Sequence, residues 1–175
     1  MTNSFSTACG QVEQESATVL ENLGQTEWAV GELQGHIATL PFFARGFISS
    51  QVSSGTGQDI PAWSRTIAGL TASLRGARAA AERARAAGKV DDEERAVLNG
   101  AVEIVVAETP RLERLAVFME KAPAKISAVP AAVLPADQRA EFLTTIGDQT
   151  RAVRAALAAI PGLTTALRAL VASNQ

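Results

Sequence analysis

The sequence predicts an all-α protein, an elongated up-down four-helix bundle whose helices are kinked or split by proline. Three observations predict it. Four segments carry apolar or small residues at alternating spacings of three and four, the pattern of a helix that buries one seam. Apolar residues make up 47% of the 175-residue chain, yet aromatics are only 5% and tyrosine is absent. The apolar content is thus led by alanine and leucine, which favour helices, rather than by the β-branched and aromatic residues that sheets need. Finally, helix-starting and helix-ending residues stand between the four segments.

The first helix is expected over about 8–53, with a seam of Val12, Ser16, Val19, Leu23, Thr26, Val30, Leu33, Ile37, Leu40, Ala44 and Phe47. "SSGTGQDIP" then breaks the pattern. Asp59 suits an N-cap and Pro61 the first turn of the next helix. That second helix, about 60–88, runs from Trp63 through Ile67, Leu70 and Leu74 to Ala77, Ala81 and Ala84. Its later half offers only small residues, so a neighbour can approach closely there. Gly88 ends it. Asp91 with Glu94 three residues on reads as a capping box for a third helix, about 91–121. Its seam is Leu98, Val102, Val105, Thr109, Leu112, Ala116 and Met119. A proline-rich connection, "KAPAKISAVPAAVLPADQ", leads to a fourth helix over about 136–173, with Leu143, Ile146, Thr150, Val153, Leu157 and Ile160, then Leu163, Leu167 and Leu170.

Pro41, Pro110 and Pro161 fall inside these helices. Each lacks an amide donor and frees the carbonyl four residues back, so each is expected to kink or split its helix. Gly162 after Pro161 makes a break there the expectation. The first and fourth helices exceed the other two in length, which would project the start of one and the end of the other as a two-helix extension. Ligand-binding domains of bacterial membrane receptors resemble that shape, at the level of fold alone.

The length suits one domain with a real core. The formal net charge of −2 argues against general nucleic-acid binding. A single cysteine, Cys9, cannot form an internal disulfide, and its place near the chain start predicts a frayed, inert thiol. No run of 18 uninterrupted apolar residues predicts a membrane span. "MTNSFSTACGQ" lacks the basic start and apolar core of a signal peptide, and the stretch before "STACG" is too short for a lipoprotein leader. A cytoplasmic location is the expectation, or a periplasmic one for a domain of an exported protein.

Chemistry is excluded step by step. The only histidine is His36, and Pro41 follows it by five residues. Phosphoaccepting histidines of sensor kinases resemble this spacing, but Ile37 and Thr39 stand where that motif has an acidic and a basic residue. Di-iron bundles need Glu-x-x-His pairs, and Glu32 lies four residues from His36. Zinc needs His and Cys clusters that the sequence lacks. There is no GxSxG and no Gly-rich loop ending in Gly-Lys-Ser/Thr. An enzyme, a metal and a cofactor are therefore not expected.

Two surfaces and one interior layer remain. Arg75, Arg78 and Arg85 share a stripe on the second helix, which suits an acidic partner if it is more than a solvated face. Phe42, Phe43 and Phe47 widen the apolar arc of the first helix, either as core or as a contact surface. Counting about 1.5 Å per residue from the expected helix ends places Pro41 and Pro110 roughly 17 Å below one end of the bundle. His36, Thr39, Glu108, Thr109, Asp148 and Gln149 would then form a polar layer beneath the phenylalanines, able to hold a small ligand or water. Three functions follow in order: a non-enzymatic bundle acting through protein contacts or self-association, as adaptor, scaffold or assembly subunit; a ligand-sensing or ligand-carrying bundle; and a coat on lipid or granule surfaces.

Overall fold

The computed structural model describes residues 2–173, with side chains from Ser4 onward. Five helices follow one another: α1 Thr2–Thr39, α2 Phe42–Thr56, α3 Ile60–Ala87, α4 Asp92–Ser127 and α5 Ala136–Ala172. The protein is all-α, with no strand among the described residues. The expected count of four becomes five because the first helix divides at Pro41. α1 packs against α3 and α5, and α4 packs against the same two. α2 lies chiefly on α4, with lighter contacts to α1 and α3.

The turns form where local chemistry places them. The Asp59 carboxylate accepts the Ala62 amide at 2.7 Å, with Pro61 in the first turn of α3. Asp91 and Glu94 close a reciprocal capping box, at 2.8 Å and 3.1 Å, at the start of α4. α2 and α3 end on Gly57 and Gly88, at φ 79° and 71°, a left-handed conformation that glycine adopts without a Cβ penalty. In the proline-rich connection, the Arg139 guanidinium donates to the carbonyls of Val129 and Leu134 and ties the loop to the first turn of α5.

The seams place the core. Leu70, Leu98, Val153 and Leu157 are all buried, as expected, and Leu23, Ile67, Leu74, Leu112, Leu163 and Leu167 join them. The two polar seam residues of α1 are buried without orphaned hydroxyls. Ser16 donates to the Val12 carbonyl, and Thr26 to that of Asn22 at 3.1 Å. Ion pairs bind neighbours across the surface: Arg85 with Glu13 at 3.1 Å joins α3 to α1. Arg154 reaches both Glu113 and Glu120 at 2.7 Å and joins α5 to α4.

The prolines behave differently from one another, and the expected split occurs at one of the three. Only Pro41 separates two helices. Pro110 and Pro161 lie inside unbroken α4 and α5, and so does Pro123. Pro110 and Pro161 are both exposed, so the face that loses a hydrogen bond opens to water. Buried residues flank each of them, Val105 and Leu112 around one, Ile160 and Leu163 around the other, so packing on the core continues on both sides of the defect. Gly162 breaks nothing. α4 also runs to Ser127 rather than about 121, which makes it nearly as long as α1 and α5. The start of α1 and the end of α5 do not project. Cys9 and Leu170 are fully buried, and Arg95 of α4 donates to the Val171 carbonyl.

α5 is long and apolar enough, by length and composition, to cross a bilayer: its most apolar 18 residues have a mean hydropathy of 1.6, and 39% of that window is buried. Among the described residues no other helix meets that standard. Val153, Leu157, Ile160, Leu163, Leu167 and Leu170 of the same helix turn toward the core.

Candidate functional site

The tight packing does not extend along the whole molecule. α5 has nine buried residues, every one of them from Ala152 onward. Over Ala136 to Arg151 none is buried. Along that half, α5 and the end of α1 enclose a cleft of about 360 Å³, whose floor includes Val52 of α2, Trp63 of α3 and Leu115 of α4. Within the lining, the His36 ring of α1 meets the Phe142 ring of α5, with centroids 5.8 Å apart and planes tilted by 57°.

The floor is fixed by a buried polar relay. The Trp63 indole N–H donates to Thr56 Oγ1 at 2.8 Å. The Thr56 hydroxyl lies 2.8 Å from the Val52 carbonyl and 3.0 Å from that of Gln58, both acceptors. The end of α2 is therefore fastened to the start of α3 beside two lining residues of the cleft, Val52 and Trp63. Gly55 makes a second demand. A Cβ at this position would collide with the Phe118 ring, so glycine lets α2 settle onto α4 with that ring beneath it.

Of the six residues expected in a polar layer, His36, Thr39 and Gln149 line this cleft. Glu108, Thr109 and Asp148 do not. Glu108 pairs with Arg111 at 2.8 Å. The Thr109 hydroxyl donates to the Val105 carbonyl at 2.6 Å. Asp148 is exposed and pairs with Arg151. The Thr39 hydroxyl donates to the His36 carbonyl at 2.7 Å and so closes the last turn of α1. Gln149 Oε1 is buried and receives no hydrogen bond from the described residues.

The two surfaces also separate. Phe42, Phe43 and Phe47 are 86%, 70% and 62% exposed, while Ala44, Val52 and Thr56 form the buried side of α2. In the arginine stripe, Arg78 pairs with Glu82 at 3.1 Å and Arg85 with Glu13 at 3.1 Å; Arg75 is exposed. Two members of the stripe thus already serve ion pairs within the chain.

Sequence reasoning missed the aromatic lining. Trp28, Phe118 and Phe142 reach the cleft with Trp63. Trp63 stands in a seam, but Trp28 and Phe142 each precede or follow a seam position by one or two residues, where a flanking ring can turn either way. The expected fraying at Cys9 is also corrected. The thiol is fully buried within α1, and burial, with the Glu13 carboxylate nearby, pushes its pKa up. No group of three or more His, Cys, Asp and Glu residues able to hold a metal ion occurs among the described residues. No protein-family model, curated protein or solved structure matches the chain.

Proposed function

We propose that the protein is a non-enzymatic helical-bundle module that acts through protein contacts, as an adaptor, scaffold or assembly subunit. On this reading α1, α3, α4 and α5 form an up-down four-helix body, and α2 is its contact face. One observation carries it: three phenylalanines point to water on a 15-residue helix whose sole charged residue is Arg45. A helix face meant for solvent is ordinarily charged and polar. Covering one such side chain is worth about 1.5–3 kcal/mol, so the three together offset a substantial part of the entropic cost of association.

The test is light scattering after size exclusion, combined with a photo-crosslinking residue placed at Phe47 in cells. Self-association or a specific adduct is expected, and the triple substitution Phe42→Ser, Phe43→Ser, Phe47→Ser is expected to remove it. A monomer at every concentration, with no adduct from position 47, would overturn the reading. A second reading, ligand sensing or carrying, is supported by the cleft between α1 and α5, whose volume lies within the range of small-molecule sites.

A further inference from the structure

We propose that the cleft between α1 and α5 binds a lipophilic organic cation, an ammonium group carried on an aromatic or branched apolar body. This inference rests on the ligand-binding reading and names the chemistry of the ligand. The cleft's charge is one-sided. Glu32 of α1 and Glu141 of α5 stand on its two walls, and among the described residues no lysine or arginine lines it. An anionic ligand would meet two carboxylates there, with the His36 imidazole as the one basic side chain in the lining.

Its walls are also rich in aromatic rings. Trp28, Trp63, Phe118 and Phe142 all contribute, and the face of an aromatic ring attracts a cation, tryptophan most strongly. Trp63 offers its ring alone, because its N–H is already given to Thr56. The interior then supplies an acceptor. Gln149 belongs to the lining and its Oε1 is buried without a donor; a buried polar atom of this kind calls for a partner, which a turn of the amide toward the cleft would provide. An ammonium N–H is such a donor, whereas a hydrocarbon would leave the atom unpaired. Carboxylates at the walls, ring faces around them and an unfilled acceptor inside share one complement.

The experiment is isothermal titration calorimetry of the full chain at neutral pH and low salt with three probes on one ring system. These are 1-naphthylmethylammonium, 1-naphthalenemethanol and 1-naphthoate. The cation is expected to bind about tenfold more tightly than the alcohol, a difference of about 1.4 kcal/mol, and the anion more weakly than either. Substituting both Glu32→Gln and Glu141→Gln is expected to bring the cation within about twofold of the alcohol, a change of the size that loss of exposed ion pairs and a weakened cation site allows. Both glutamates are exposed, and unchanged circular dichroism will verify that the variant folds. Thr145→Trp, which fills the cleft, is expected to abolish binding of all three probes. An alcohol that binds as tightly as the cation, or a preference that the double variant leaves intact, overturns the cation assignment while the ligand-binding reading stands. Binding that survives Thr145→Trp overturns the location, and no binding by any probe overturns both readings.

Discussion

The two ends of the molecule are built on different principles from the same four long helices. At one end, Cys9, Val12 and Val19 of α1 meet the alanines 77, 80, 81 and 84 of α3, and Leu163, Leu167 and Leu170 of α5 complete a dry interior. Small side chains let the backbones approach, and the larger ones fill what remains. At the other end, tryptophan and phenylalanine rings stand where alanines stood, α5 buries nothing before Ala152, and a cleft opens. Small and aliphatic side chains line the end that closes, and rings and polar side chains the end that opens.

The sharpest test of that contrast sets one substitution at each end side by side. Leu98→Ala in the closed end is expected to cost about 2–5 kcal/mol, the range for a fully buried leucine. Ile146→Ala, at the cleft and only partly buried, is expected to cost clearly less. Urea denaturation of both variants measures the difference, and equal losses would mean that the two ends are packed alike. Trp63→Phe comes next in size. It strips the donor from Thr56 and is expected to cost about 0.5–1.5 kcal/mol, in the range of one hydrogen bond. Hydrogen exchange should quicken in α2 before it does in α3 or α4; uniform quickening would show that the relay is not what fastens α2.

The smallest effect lies between α4 and α5, near the boundary of the two ends. Hydrogen bonding and charge from Arg154 hold the Glu120 carboxyl below its ordinary range and raise the guanidinium further. A carboxyl lowered in the folded state stabilises above its unfolded pKa, and that contribution fades as pH falls through the lower, folded value. Glu120→Gln is therefore expected to flatten slightly the acid side of the stability curve, with no change near neutrality beyond what an exposed pair gives. An unaltered acid limb would remove this clamp from the account.

Much of the closed end was legible in the sequence because its signals are local or periodic. Asp91 with Glu94, and Gly88, act within a few residues of themselves, as Asp59 does at the other end, and the leucine seams carry their own phase. The prolines were not legible. Pro41, Pro110 and Pro161 have the same covalent effect, and their outcomes differ through what lies beyond them. After Pro110 and Pro161 the next seam residues are buried and the helix continues, whereas Pro41 is followed by Phe42 and Phe43, which nothing covers. The site was half legible for a related reason. Counting from helix ends assumes that the ends are known, but α4 continues six residues past the expected 121, about 9 Å of rise. Glu108 and Thr109 were thereby counted short of the α4 residues that line the cleft, Leu115 to Ala122, while His36 lies in the last turn of α1 and fell into it; on α5, Gln149 lines the cleft where its neighbour Asp148 is exposed. The aromatic lining left no periodic trace because Trp28 and Phe142 flank their seams.

The two tryptophans turn the contrast between the ends into something that can be watched. They are the only indoles in the chain, both touch the cleft, and their surroundings are opposite: Trp28 is 64% exposed and Trp63 2%. One should emit to the red as a ring in water does, the other to the blue as a ring in hydrocarbon does. An occupant that settles between α1 and α5 would dry the first and shift it to the blue, while the second, already out of water, would change in intensity more than in colour. The wild-type chain thus carries a sensor and its internal reference on one site, and replacing Trp28 alone would leave the reference signal isolated.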